Sequence, residues 1–249
     1  MAHPLATRTI AAAPATERVE FLKGVLALTS VGLVLTAISG VIAAQVMGGY
    51  FFVERQMPLT GESVLVMQHQ WIYLGVMIGA LFGAQGFGTK LAMGNTPELG
   101  LVVGAVLMGV VLGPLLYLAW HMGEVGGNGF TLIGQAFGLT ALTAVGMTGY
   151  VWSKPRDFSL LGAALAAVAL PMFALMIISW VFPMGSTMTL FLLGGFIVFC
   201  AGTLLFKLNH IIHTMGTEYK ALAAVTLTLS IGLLFYHILN LLMILQGRD

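Results

Sequence analysis

Seven long apolar stretches, separated by short polar turns, occupy most of this chain of 249 residues. A bilayer core about 30 Å thick is crossed by about 20 apolar residues in an α-helix, and outside a closed barrel only a helix satisfies the backbone in lipid. The sequence therefore predicts an all-α membrane protein with a bundle of seven transmembrane helices. The predicted spans are 21–47, 70–90, 98–120, 130–152, 158–182, 188–212 and 219–246.

The distribution of lysine and arginine predicts the orientation of these spans. With the N-terminus in the cytoplasm, eight of the ten basic residues fall in cytoplasmic segments and two fall outside. This asymmetry is the positive-inside bias, so we expect a cytoplasmic N-terminus and a C-terminus on the opposite side of the membrane. Residues 1–20 are polar and rich in Ala and Thr, which predicts a flexible cytoplasmic tail before a transmembrane domain at 21–249.

Composition excludes several functions. Only 8% of the residues are charged, too few to cover a water-facing surface, and the net charge of +1 gives no reason to expect nucleic acid as a partner. The chain has one cysteine, Cys200, inside an apolar run, which indicates a small packing residue. No nucleophile elbow, zinc-protease helix, phosphate loop or pair of buried acids occurs. We therefore predict no enzyme, no catalytic residue, no metal and no cofactor.

Two features point to contacts rather than chemistry. The outer connection at 48–69 carries aromatic residues, which predict an interfacial belt or, alternatively, a docking surface for a partner. Small residues recur at four-residue spacing, a pattern that lets helices approach closely in lipid. The three pairs are Gly100 with Gly104, Gly109 with Gly113, and Gly134 with Gly138.

Polar side chains inside the spans are the candidate functional residues, because burying them in lipid is costly. They are Gln85, Gln135, Lys207, His210, His213, Ser230, His237 and Asn240. Lys207 carries the only charge at depth, about 9 Å from the end of its span at 1.5 Å per residue. Two interpretations are open: the amine extends to the interface, or it faces the bundle interior and is paired.

The histidines have simpler interpretations. His210 and His213 lie near the end of the sixth span, where histidine satisfies the negative helix end; a metal site would need a third ligand, and none follows at ligand spacing. For His237 and Asn240 we expect hydrogen bonds to a neighbouring helix. No carboxylate lies near the middle of any span, which disfavours a proton pump, an antiporter and an acidic-ring pore.

Several strings of this sequence resemble the Bax inhibitor-1 family of membrane proteins, and most closely its bacterial YccA type. Residues 109–116, Gly-Val-Val-Leu-Gly-Pro-Leu-Leu, are similar to the family's third-span string. Residues 154–162, Lys-Pro-Arg-Asp-Phe-Ser-Leu-Leu-Gly, resemble its cytoplasmic turn and include Lys154, Arg156 and Asp157. Residues 206–213, Phe-Lys-Leu-Asn-His-Ile-Ile-His, resemble the YccA sixth span.

The resemblance implies a fold and a cellular location. The fold is a seven-helix bundle with the seventh helix at its centre, in the bacterial inner membrane. The wider family includes proton-sensitive calcium leak channels gated by one aspartate in span six and one in span seven. In this sequence those positions are Lys207 and, within a residue, Ser230, so the charge is reversed. The YccA type is associated with the membrane protease FtsH, as a substrate and modulator engaged through the N-terminal tail.

Three hypotheses for function follow. The first is a non-enzymatic inner-membrane protein that modulates, or is a partner of, an FtsH-like protease or another large membrane complex. The second is a pH-sensitive calcium leak channel, which the lysine at the acid position disfavours. The third is a structural accessory subunit of a respiratory or photosynthetic membrane assembly. In all three, the lipid bilayer is a partner.

Overall fold

The structure, a computed structural model, describes residues 9–56, 63–126, 129–153, 158–181 and 185–246. Within these ranges seven helices are long and apolar enough to cross a membrane, so the predicted seven-helix membrane bundle is confirmed. They are α1 (Ala15–Phe51), α2 (Gln70–Ala92), α3 (Pro97–Gly126), α4 (Gly129–Ser153), α5 (Ser159–Val181), α6 (Ser186–His213) and α7 (Lys220–Gln246).

Helix α7 lies at the centre of the bundle, as the resemblance implied. It packs against α1, α3, α4 and α6, and it is the most buried span. Helix α3 is the next most buried span and packs most extensively against α1. Helix α5 is at the opposite extreme, because its most apolar window contains no buried residue and its main neighbour is α6.

Two of the three glycine pairs are interhelical contacts on α3. A Cβ atom added to Gly113 would lie 2.5 Å from Cβ of Ala43, so α1 approaches here to backbone distance. A Cβ atom added to Gly100 would lie 2.6 Å from the carbonyl oxygen of Gly88 in α2. In lipid such close fit replaces the hydrophobic effect as the force between helices. These glycines therefore set the spacing of α1, α2 and α3.

The third pair has a different environment. A Cβ atom on Gly134 or Gly138 of α4 would meet nothing within 4 Å, and Gln135 beside them is exposed. This face of α4 is turned away from the bundle. The same four-residue spacing thus marks a helix contact on α3 and an open face on α4.

Helix α2 contains a π-helical segment at Ala84–Gly88, followed by one further α-helical turn. Gln85 lies in this segment and is half-buried, and its carbonyl accepts a hydrogen bond from the Thr89 hydroxyl. Gly88 in the same segment lies close to Gly104 of α3. The π-helical turn therefore includes one of the close contacts between α2 and α3.

A β-hairpin that the sequence analysis did not anticipate follows α1. Strand β1 (Phe52–Gln56) pairs with β2 (Ser63–Met67) in antiparallel register, from Phe52 opposite Met67 to Gln56 opposite Ser63. Phe51 and Phe52 are buried, and Phe52 stacks on Tyr117 of α3 with ring centroids 5.9 Å apart. The interpretation of these two phenylalanines as an interfacial belt is therefore wrong, because both pack inside the protein.

The opposite end of the bundle contains the start of α1 and the loop between α6 and α7. Helix α1 begins at Ala15, six residues before the predicted start, and a short 3₁₀ turn (Ile10–Ala12) precedes it. We call this the N-terminal end of the bundle. The flexible tail at residues 1–20 stays a prediction; residues 1–8 lie outside the described residues, and residues 9–20 contain the 3₁₀ turn and the start of α1.

Candidate functional site

Lys207 points into the bundle and contacts α7. Its Nζ atom donates a hydrogen bond to Oγ of Ser230 at 2.9 Å. Ser230 in turn donates to the carbonyl oxygen of Thr226, one helical turn earlier, at 2.8 Å. Of the two interpretations left open by the sequence, the geometry agrees with an interior, paired lysine. The pair joins α6 to α7.

The surroundings of this pair are apolar. The residues one turn away on each helix are Leu204, Ile211, Leu227 and Leu234, and all four are buried in one core cluster. Within the described ranges no carboxylate pairs with Lys207. A lysine here offers a cation no anionic ligand, and its hydrogen bond to Ser230 connects two spans. The arrangement fits a stabilising hydrogen bond between two helices better than a cation pathway.

The two histidines at the end of α6 have different environments. His210 is exposed, and its carbonyl oxygen accepts the backbone N–H groups of Thr214 and Met215 at 2.9 and 3.0 Å, which ends the helix. His213 is half-buried, and its Nε2 atom has no hydrogen-bond partner. Asn209, one turn before His213, likewise has a buried Oδ1 atom without a partner. His210 therefore faces outward, whereas His213 is partly enclosed.

His237 makes ring contacts instead of the expected interhelical hydrogen bond. Its buried imidazole stacks on Phe196 of α6, with centroids 5.0 Å apart and planes 6° from parallel. The Tyr236 ring meets it edge-on at 5.3 Å, and Nδ1 of His237 has no hydrogen-bond partner. The expected hydrogen bond is therefore absent at Nδ1, within the part of the chain that the structure describes. Asn240, the other residue of this pair, is half-buried.

Of the remaining candidates, the turn with Lys154, Arg156 and Asp157 lies outside the described residues. Gln85 and Gln135 lie far from Lys207 along the chain, on α2 and α4, and neither joins the Lys207–Ser230 pair. Among the residues that the structure describes, no three His, Cys, Asp or Glu side chains come together in a way that could hold a metal ion.

The sequence analysis missed a contact between the N-terminal segment and the α6–α7 loop. The backbone N–H of Ile10 donates to the carbonyl oxygen of Met215 at 2.9 Å, and Thr9 forms an antiparallel bridge with Gly216. Ile10 is buried, with 1% of its surface exposed. A signal was present in the sequence, because Ile10 is the one large apolar residue between Leu5 and Val19.

These features define a class: a multi-pass helical membrane protein with a central seventh helix and an internal lysine–serine contact between spans six and seven. The family model described as "Inhibitor of apoptosis-promoting Bax1" matches residues 18–247. The chain belongs to this family, the Bax inhibitor-1 family.

Its relatives extend from bacteria to viruses. An uncharacterised protein of Pseudomonas aeruginosa is 31% identical over 232 residues, 92% of this chain and 92% of that protein. The Modulator of FtsH protease YccA of Escherichia coli K12 is 29% identical over 185 residues, 74% of this chain and 80% of the relative. The Golgi anti-apoptotic protein of Vaccinia virus is 38% identical over 109 residues, 43% of this chain and 45% of the relative.

Proposed function

We propose that this chain is a non-enzymatic inner-membrane protein that modulates, or is a partner of, an FtsH-like membrane protease and is engaged through its N-terminal segment. The observation that carries the proposal is the similarity to the Modulator of FtsH protease YccA over 74% of the chain. The name of this relative describes a modulator, that of the viral relative describes an anti-apoptotic protein, and neither name states an enzymatic activity.

The Lys207–Ser230 pair supports a function that does not involve catalysis. Its polar atoms are used in a hydrogen bond between α6 and α7, and the neighbouring side chains are apolar. Lys207 also disfavours the calcium-channel alternative, because an ammonium group replaces the carboxylate that would attract a divalent cation. The accessory-subunit alternative has the open face of α4 as its candidate contact surface.

The location of the lysines supports a cytoplasmic N-terminal end. Lys23 lies near the start of α1, Lys90 near the end of α2, and Lys220 at the start of α7. The Lys220 side chain lies against Gly24 of α1, 3.3 Å from a Cβ atom placed there. All three therefore belong to one end of the bundle, and by the positive-inside rule this end faces the cytoplasm.

The proposal is tested by affinity purification of the full-length protein from native membranes after cross-linking in intact cells. We expect an FtsH-like protease among the captured proteins, and we expect the turnover of that protease's membrane substrates to change when this chain is overproduced. Capture of a respiratory or photosynthetic complex without the protease would instead support the accessory-subunit alternative. Unchanged substrate turnover together with no captured protease would refute the proposal.

A further inference from the structure

The N-terminal segment at residues 9–13 closes on the loop between α6 and α7. Two contacts hold it: the Thr9–Gly216 bridge, which includes the hydrogen bond from Ile10 to Met215, and the buried Ile10 side chain. We propose that this segment is a releasable latch, which controls how much of the N-terminus a pulling protease can grasp. This inference rests on the proposed function.

The latch is attached through few groups, so it can open without unfolding the bundle. Ile10 and Ala13 are buried, whereas Ala11 and Ala12 between them are exposed. The 3₁₀ turn contacts α6 and α1 and is three residues long. One large side chain therefore supplies most of the apolar contact, and its removal should release the segment and leave the seven spans in place.

Arg18 holds the latch in its folded shape. Its guanidinium group donates to the carbonyl oxygen of Ala13 through Nε at 2.8 Å and to that of Ala11 through an Nη atom. Arg18 lies in the first turn of α1. The turn is thus fixed to the helix that follows it as well as to the α6–α7 loop.

Opening the latch lengthens the segment that can be grasped. A protease that unfolds its substrate by pulling must first hold an extended stretch of chain. Residues 9–14 precede α1, and when released they add at most about 20 Å of extended chain to whatever precedes Thr9. In the docked state these residues are held against the bundle. The docked state therefore protects the chain, and the released state exposes it.

The first experiment tests the latch without any cellular protease. Amide hydrogen exchange is measured on the purified full-length protein, with Ile10→Ser as the opening variant and Ala12→Ser, at an exposed neighbouring position, as the matched control. We expect at least tenfold faster exchange in peptides covering residues 9–14 for Ile10→Ser and no change for the control. Equal exchange in both variants would overturn the latch.

A second variant locks the latch and does not depend on the stability of Ile10→Ser. Partners in an antiparallel bridge lie within the Cα distance that a disulfide requires, so Thr9→Cys with Gly216→Cys, in a Cys200→Ala background, should cross-link on oxidation. The three atoms nearest to a Cβ atom at Gly216 belong to the flexible Glu218 carboxylate. We expect added proteinase K to cut residues 9–14 several-fold more slowly in the oxidised protein. A cutting rate that reductant does not change would contradict the latch.

Half-lives in cells separate the latch from the proposed function. We expect Ile10→Ser to shorten the half-life several-fold relative to Ala12→Ser in cells with the FtsH-like protease, and we expect no difference in cells depleted of it. If exchange shows an open latch while the half-life difference persists without the protease, the link to this protease fails and the latch stands. If the exchange rates are equal, the latch fails whatever the half-lives.

Discussion

Lys207 and Ser230, 23 positions apart in the chain, meet through a single 2.9 Å hydrogen bond between their side chains. The bond crosses from α6 to the central helix α7 in an apolar part of the core. Because Ser230 also donates to its own helix, its hydroxyl group satisfies the amine and a backbone carbonyl at once. A change at either residue therefore affects the other.

The first prediction concerns Ser230→Ala, which leaves the Lys207 amine without its acceptor. Removing one partner of a buried polar pair costs about 1–3 kcal/mol. We expect that loss in the free energy of unfolding, measured by SDS titration in mixed micelles. The control is Ser30→Ala, whose exposed hydroxyl bonds only to Leu26 of its own helix. Equal stability of the two variants would show that the Lys207–Ser230 bond contributes nothing.

The second prediction concerns calcium flux and the reversed charge at position 207. Vesicles with the wild-type protein should take up calcium no faster than protein-free vesicles, because the site offers the ion no carboxylate ligand. Lys207→Met replaces the amine by an unbranched apolar side chain, and we expect no calcium uptake with this variant either. We expect calcium uptake only with Lys207→Asp, because this variant introduces a carboxylate. Calcium entry through the wild-type protein that stops with Lys207→Asp would support the channel alternative.

The third prediction compares two glycines that each end a pair at four-residue spacing but have different surroundings in the structure. Gly113→Ala places a methyl group 2.5 Å from Cβ of Ala43, and such overpacking costs about 1–3 kcal/mol. Gly138→Ala meets no neighbour, so the better helix propensity of alanine should stabilise by up to about 1 kcal/mol. Thermal unfolding in detergent should therefore shift in opposite directions, and shifts of the same sign would contradict the assigned helix contacts.

The fourth prediction concerns the attachment of the hairpin. Phe52 is buried against Tyr73 and Tyr117, and Phe→Ala changes at buried sites cost about 3–5 kcal/mol. A two-stranded hairpin is at best marginally stable alone, so Phe52→Ala should speed amide exchange along β1 and β2. Val66→Ala, at an exposed position of β2, is the control and should change little. Slow exchange in Phe52→Ala would mean that other contacts hold the hairpin.

The span count could be predicted from sequence because each helix must bring about 20 apolar residues into lipid, a condition that acts on each segment separately. Contacts between segments were harder to predict. The glycine pairs of α3 and α4 have the same spacing, yet only those on α3 face a partner. The four-residue spacing shows that another helix could pack closely there, but whether one does depends on the packing of the whole bundle.

Two contacts at the ends of the bundle escaped prediction for a similar reason. The burial of Phe52 depends on Tyr73 and Tyr117, which belong to other helices. The burial of Ile10 depends on a loop about 200 positions further along the chain. Lys207 is the opposite case, since a charge at depth identified it from sequence, although its partner, Ser230, was not predicted.

The position of α7 at the centre has a consequence for synthesis. Residues Lys220–Gln246 are made after the six other spans, yet they provide the surface on which α1, α3, α4 and α6 converge. These four helices are therefore synthesised before the helix that they pack against. A chain truncated before Lys220 can still cross the membrane six times, but it lacks the central helix against which α1, α3, α4 and α6 pack.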